Sequence, residues 1–112
     1  MTKELKEITE EELHEVIKLH YLWLKDDDKG ECADLSYTNL IYSELILVNL
    51  SHANFEGANL TEVKMNHSIF IGANFSGANF NDTHTSYANF SGANFNDTVI
   101  FDGYKLIKIE TE

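Results

Sequence analysis

The sequence predicts an all-β solenoid: a four-sided β-helix with an α-helix at its N-terminal end. Three observations predict it. A large apolar residue recurs at every fifth position from Leu35 to Ile100 with a single lapse, a small or β-branched residue stands two positions before each, and a coarser repeat of twenty residues overlies the five. Three segments follow: residues 1–31 as an N-terminal capping helix and loop, 32–102 as the repeat coil, and 103–112 as a C-terminal tail or cap strand.

The helix announces itself at Thr9, which with Glu12 three residues on makes a capping box. The acids Glu10 to Glu12 suit the positive end of the helix dipole. Leu13, Val16, Ile17, His20, Tyr21 and Leu24 follow as an apolar stripe at helical spacing. The spacing predicts a helix over residues 10–25, with Asp26 to Gly30 as its exit loop. The stripe is expected to cover the open lower end of the coil near Leu35. Solenoids need such caps, because a bare end exposes core and unpaired strand edges.

In the coil, the every-fifth series reads Leu35, Leu40, Leu45, Leu50, Phe55, Leu60, Met65, Phe70, Phe75, Phe80, Thr85, Phe90, Phe95, Ile100. Only Thr85 interrupts it, and its hydroxyl is a candidate for hydrogen bonding inside the bore. The preceding small series runs from Ala33 and Thr38 through Ala93 and Thr98. A period of five fits neither a helix nor a flat strand. It requires a chain that turns a corner every five residues, with one large and one small side chain inward and three positions toward water. The segments beginning at Ala53, Ala73 and Ala93 share Ala-Asn-Phe and lie twenty residues apart, so four sides make one turn. Turns stacked at roughly 4.8 Å pair their backbones as in any sheet. The predicted core includes Leu35, Phe55, Phe75 and Phe95 in one column, with Leu40, Leu60 and Phe80, and Phe70 and Phe90, in others. The small residues keep the narrow bore from being overfilled.

The pattern Ala-Asp/Asn-Leu/Phe-X-X over residues 33–102 resembles that of the pentapeptide-repeat proteins. The resemblance implies a right-handed quadrilateral β-helix, here of about three and a half turns, since 70 residues at twenty per turn give that figure. The segment from Leu19 to Gly30, with His20, Trp23 and Leu24, resembles the helix that precedes the coil in some members. Beyond Asp102 the register fails, because Lys105 would point inward. The tail GYKLIKIETE alternates like a strand. It suits either a cap on the upper end or pairing with a second copy as a homodimer. Val99 and Phe101 are apolar at outward positions, which favours some cover there.

The composition narrows the function. The single cysteine, Cys32, makes no internal disulfide and fits a reducing compartment. The acidic opening lacks the apolar core of a signal peptide, and no stretch of 18 apolar residues is present, so the expected location is the cytoplasm, in a bacterial or phage setting. The net charge of −11 disfavours direct nucleic-acid binding, which needs clustered Lys and Arg. No cofactor is expected. His14, His20, His52, His67 and His84 do not assemble the three or four convergent ligands of a zinc site. Cys32 lacks the context of a nucleophile, and no Gly-rich phosphate loop occurs. The expectation is a protein that is not an enzyme.

Two binding functions remain. The resemblance implies that some family members act on DNA gyrase as acidic rods occupying its DNA saddle. Residues 32–102 hold seven acids against Lys64, and Glu62, Asp82 and Asp102 fall on one corner in successive turns, with Asp97 on the neighbouring corner. A coil ~17 Å tall would carry a little over half of the roughly 10 charges of B-DNA of that length. That height would fill only part of a gyrase saddle, and a smaller target such as a phage-defence nuclease would need less length; the two stand as equal alternatives. The alternative is a structural or protein-interaction domain. Tyr37, Ile41, Tyr42, Ile46 and Leu47 form an apolar patch at outward positions of the first turn, expected to lie under the N-terminal helix or a partner, the helix being favoured. Ile46 and Leu47 are its candidate contact residues. Ile69 and Ile71 make a smaller pair. The third side, with Glu44, Lys64, Met65, His84, Thr85 and Tyr87, departs most from the repeat.

Overall fold

The computed structural model describes residues 4–101 and 104–105. One helix, α1 (Glu10–Leu24), precedes the repeats. Thr9 caps it: the Thr9 hydroxyl accepts the Glu12 N–H at 3.0 Å, and the Glu12 carboxylate accepts the Thr9 N–H at 2.8 Å. This box satisfies two of the N–H groups that a helix start leaves open. The helix ends in a Schellman motif. The Asp27 N–H donates to the Leu22 carbonyl at 3.0 Å and the Asp26 N–H to the Trp23 carbonyl at 3.1 Å, with Asp26 in the left-handed region at φ 60°.

The exit loop then folds tightly back, and the Glu31 N–H donates to the Leu19 carbonyl at 3.0 Å. Gly30 makes this possible: a Cβ there would stand 2.1 Å from the Trp23 backbone nitrogen and 2.5 Å from the Leu22 carbonyl carbon. Neither backbone atom has room to move. Gly30→Ala is therefore expected to destabilise the cap by more than about 2 kcal/mol, read as a lower urea midpoint.

From Ala33 the chain turns every five residues. Parallel bridges join residues twenty apart in four columns, and each column is one side of the coil. Asp34, Asn54, Asn74 and Asn94 mark side 1; Asn39, Asn59, Asn79 and Val99 mark side 2; Glu44, Lys64 and His84 mark side 3; Asn49, Ile69 and Asn89 mark side 4. All thirteen corner residues from Tyr37 to Asp97 have positive φ. In most corners the next repeat's first N–H reaches back to the carbonyl of the large residue, as Ala58 does to Phe55 at 3.0 Å. This closes a β-turn with the left-handed third residue of type II.

The Asn or Asp between the two inward residues was expected to face water. It instead builds the corner. Asn54 Oδ1 accepts the Glu56 N–H at 3.0 Å, and the same Asx turn recurs at Asp34, Asn39, Asn49, Asn59, Asn74, Asn79, Asn89 and Asn94. Asn74 and Asn94 also donate Nδ2–H to the Asn one turn below, at 3.4 and 3.3 Å. Side 3 carries Glu, Lys and His at this position and has no such turn.

The bore is filled by Leu, Met and Phe side chains. Leu35, Leu40, Leu45, Leu50, Phe55, Leu60, Met65, Phe70 and Phe75 are buried, while Phe80, Phe90 and Phe95 are half-buried toward the upper end. Phe75 stacks on Phe55 at 4.8 Å and on Phe95 at 5.2 Å, and Phe70 stacks on Phe90 at 5.3 Å. Hydroxyls at the small positions bond to carbonyls of the turn below. Thr98 donates to the Phe75 carbonyl at 2.8 Å and Thr83 to the Leu60 carbonyl at 2.9 Å. Ser68 donates to the Leu45 carbonyl and accepts the Val48 N–H, bridging an open corner. Thr85 does not share this role; its side chain is exposed.

α1 crosses the lower end of the coil. Leu13 is buried, and Ile8, Val16 and Ile17 pack on the core. Tyr21, placed in the stripe by its spacing, is instead exposed, with the Lys25 ammonium 4.9 Å from its ring centroid. Just before the helix, the Lys6 N–H donates to the Tyr37 carbonyl and the Lys6 carbonyl accepts the Asn39 N–H, each at 2.8 Å. Lys6 thereby forms a parallel bridge with Thr38 beneath side 2. At the upper end β1 (Val99–Phe101) pairs antiparallel with β2 (Tyr104–Lys105), while Val99 also bridges Asn79. Asp102, the tail beyond residue 105, and the expected homodimer through it lie outside the described residues.

Candidate interaction face

Side 3 is distinguished by what stands at its two corners. A corner residue sits in the left-handed region, where Gly, Asn or Asp is favoured because a Cβ crowds the following carbonyl. Side 3 begins at a corner occupied by Tyr42, Glu62 and Asp82 and ends at one occupied by Leu47, His67 and Tyr87, all at φ between 57° and 65°. Tyr42, Leu47 and Tyr87 are 69, 77 and 83% exposed. The rings of His67 and Tyr87 stack at 5.0 Å, 10° from parallel. Between the corners run Glu44, Lys64 and His84 on one line and Ile46, Asn66 and Ser86 on the other.

The other corners show how such side chains are normally accommodated. Tyr37 lies against the corner above it, where a Cβ on Gly57 would meet the ring at 2.4 Å. Its hydroxyl donates to Glu56 at 3.2 Å. The Glu56 charge, followed by partial burial, pushes the Tyr37 phenol above its ordinary range. Tyr37 thus leaves the first-turn patch, whereas Ile41, Tyr42, Ile46 and Leu47 remain exposed. The helix was expected to cover them. It does not, because its stripe of Leu13, Val16 and Ile17 is spent on the end of the bore, at right of way to the core rather than to the flank. Two recesses lie between α1 and the lower rim of side 3. One of about 460 Å³ is lined by Ile8, Leu13, His14, Ile41, Tyr42 and Glu44. One of about 380 Å³ is lined by His14, Ile17, Lys18, Glu44, Ile46 and Val48.

The electrostatics of the face are mixed. Glu62 and Asp82 occupy the same corner in successive turns, but His84 Nε2 stands 3.6 Å from Glu62 Oε1. Lys64 Nζ lies 3.9 Å from Glu44 Oε2, both well exposed, a pairing that contributes little to stability. Asp97 sits at the corner between sides 1 and 2, at φ 59°. Ile69 and Ile71 remain exposed on side 4.

His20 is the most constrained polar side chain of the cap. It is fully buried. Nδ1 accepts the Ala33 N–H at 2.9 Å and Nε2 donates to the Ser51 carbonyl at 2.9 Å. An acceptor at Nδ1 fixes the neutral ring with its proton on Nε2. Burial holds its pKa below the ordinary histidine range; the bond to the Ser51 carbonyl opposes this and the nearby His52 adds to it. Trp23 packs between them, 5.2 Å from His20 and 6.5 Å from His52. Cys32 donates weakly to the His52 carbonyl at 3.4 Å. Burial, then Asp34, pushes its thiol up, away from the thiolate that a nucleophile requires. Among the described residues no three of His, Cys, Asp and Glu converge on a metal position, and no helix is long and apolar enough to cross a membrane.

Comparison with known proteins adds the family. The model for pentapeptide repeats matches eight copies over residues 31–66 and 58–97. Among solved structures, the pentapeptide repeat protein Rfr23 of the cyanobacterium Cyanothece 51142 is 34% identical, with 60% of this chain and 43% of that one aligned at a TM-score of 0.50. A pentapeptide repeat protein of the Arabidopsis thaliana thylakoid lumen is 28% identical over 62% of this chain and 55% of its own, at a TM-score of 0.34. HetL of Nostoc sp. strain PCC 7120, involved in heterocyst differentiation regulation, is 21% identical over 69% and 40%, at a TM-score of 0.26. The chain thus spans 40 to 55% of the length of these three proteins. Among curated protein sequences none matches. Pentapeptide repeat proteins are right-handed quadrilateral β-helices and are generally non-catalytic structural repeat proteins. With the repeat, the corners and the match over residues 31–97 in agreement, this chain belongs to the pentapeptide-repeat family.

Proposed function

We propose that this protein is a non-catalytic protein-interaction module whose contact surface is side 3 with its two corners. One observation carries the reading: Tyr42, Leu47 and Tyr87 hold left-handed backbone and lie in solvent. Each such residue costs about 1–2 kcal/mol relative to a glycine in that conformation, offset at Tyr87 by its stacking on His67 and not by exposure at Tyr42 and Leu47. Side chains that weaken the fold and protrude from it fit a role in contact with something else. Large aromatic and aliphatic residues are also the usual anchors of protein interfaces.

The stability side of this is directly measurable. Leu47→Gly is expected to raise the thermal midpoint by several degrees, since about 1 kcal/mol corresponds to roughly 4–8 °C in a domain of this size. An unchanged or lower midpoint would show that Leu47 contributes to the fold and would remove the argument at that corner.

The function is tested by affinity capture from a bacterial lysate with elution along a salt gradient. The expected partner persists at high salt and is lost from Tyr42→Asn, Leu47→Asn and Tyr87→Asn. A mimic of DNA, blocking a DNA-handling enzyme, is the second reading, supported by Glu62 and Asp82 standing in line. A coil of about three and a half turns is only ~17 Å tall, so this reading takes second place. It predicts a partner released by moderate salt and lost from Glu62→Gln and Asp82→Asn, with the corner variants unaffected.

A further inference from the structure

The lower rim of the coil is closed unevenly. In each side the same backbone groups point toward the turn below. On side 3 the second turn shows them in use: the Lys64 N–H donates to the Ser43 carbonyl at 3.0 Å, the Lys64 carbonyl accepts from Leu45 at 2.7 Å, and the Asn66 carbonyl accepts from Leu47 at 3.3 Å. Their first-turn equivalents are the Glu44 N–H, the Glu44 carbonyl and the Ile46 carbonyl. The N-terminal segment takes up one such group on each of two other sides: the Lys6 carbonyl accepts the Asn39 N–H under side 2, and His20 donates to the Ser51 carbonyl under side 4 while accepting the Ala33 N–H at the entry to side 1. Beneath side 3 nothing does: these three groups have no protein partner among the described residues. Glu44 lines both recesses between α1 and the rim, and Ile46 lines one.

From this geometry we infer that the rim of side 3 is a strand-addition site, where an extended segment of a partner protein takes the place beneath Ser43–Leu47 that Lys6 fills beneath side 2. The inference rests on the reading of the protein as an interaction module and names the mode of contact. An open strand edge is a template for a further strand. Backbone hydrogen bonds then supply affinity and pockets for alternate side chains supply selectivity. The walls are apolar where the segment's inward residues would lie, at Ile8, Leu13, Ile17 and Ile41. Glu10 and Glu44 stand on the recess against Lys18, and the whole chain carries −11. The occupant is therefore a segment in which apolar residues alternate with Lys or Arg, drawn in by the acidic field.

The test uses an eight-residue peptide of alternating Lys and Val, blocked at both ends and carrying fluorescein, followed by fluorescence anisotropy against the full chain. Binding is expected. It should weaken by about tenfold or more, a difference of about 1.4 kcal/mol, when alternate backbone amides of the peptide are N-methylated, since methylation removes strand pairing and keeps the side chains. Glu44→Pro removes the rim donor of side 3 at an edge position that tolerates proline, and should weaken binding comparably, whereas Glu44→Gln should retain most of it. In the unaltered protein, hydrogen exchange at the Glu44 amide should slow on adding peptide. Equal binding of the N-methylated peptide, no binding at about 1 mM, or a rim occupied by a second copy of the chain, seen as concentration-dependent self-association, would each overturn the inference. If the peptide fails while partner capture still depends on Tyr42, Leu47 and Tyr87, the strand site falls and the interaction module stands. If capture fails as well, the module itself falls.

Discussion

Phe75→Ala is expected to lower stability by about 3–5 kcal/mol, a large part of the roughly 5–15 kcal/mol typical of a single domain. Phe75 is fully buried in the bore and touches rings on every side. It stacks on Phe55 below at 4.8 Å and on Phe95 above at 5.2 Å, and meets Phe80, Phe70 and Phe90 edge-on at 5.0, 5.6 and 5.7 Å. Offset-stacked and edge-to-face pairs add to the burial itself, and turns pinned to each other by backbone bonds collapse poorly into a cavity. Phe95→Ala, at a half-buried position with fewer rings about it, should cost less than half as much. Urea denaturation of the two variants checks this. Equal losses would mean that the ring column does not carry the core as described.

Loss of the His20 imidazole should uncouple the cap. His20→Leu keeps the volume but leaves the Ala33 N–H and the Ser51 carbonyl buried without partners. At about 1–3 kcal/mol for each unsatisfied group, the expected destabilisation is about 3 kcal/mol. The same geometry makes the cap sensitive to acid. Because the folded pKa lies below the unfolded one, the contribution of His20 is fully present above the unfolded value near 6.5 and is lost as pH falls through the folded pKa. A protonated Nδ1 no longer accepts the Ala33 N–H. The thermal midpoint should therefore decline as pH is taken from 7 toward 5, and the decline should be smaller in His20→Gln. His14→Gln, at an exposed position of the helix, should leave it unaltered. A pH dependence identical in all three proteins would contradict the role given to His20.

The residues that point inward were legible because the core repeats its demand every five positions. Leu35 through Phe95 state the period and Ala33 through Ala93 its spacing. The capping box at Thr9 and Glu12 was legible for a similar reason, since both partners are local. The role of Asn54 and its equivalents was missed, although a signal existed. Asp34 with Ser36, Asn49 with Ser51, Asn59 with Thr61 and Asn89 with Ser91 share a spacing of two, which is that of an Asx turn reinforced by a hydroxyl. The two bonds of His20 reach 13 and 31 residues along the chain, and no local pattern reports them. Nor does the apolar stripe of α1 say which apolar surface it meets. Leu13 and Ile17 fit the end of the bore and the flank at Ile46 and Leu47 equally well as sequence. The end wins because closing it buries α1 against Leu35 and its neighbours.

The identity of side 3 was half legible. Glu44, Lys64, His84 and Tyr87 announced an irregular side. The left-handed conformation of Tyr42, Leu47 and Tyr87 did not show in residue type, because Tyr and Leu are the residues least expected there.

The most direct test of side 3 as the contact surface is to map amide shifts by two-dimensional NMR of the isotope-labelled protein on titration with the captured partner. The account predicts perturbations clustered at Tyr42, Glu44, Ile46, Leu47, His67 and Tyr87, with the side 1 amides of Asn54, Asn74 and Asn94 unmoved. Shifts centred on side 1, or on Ile69 and Ile71 of side 4, would contradict it.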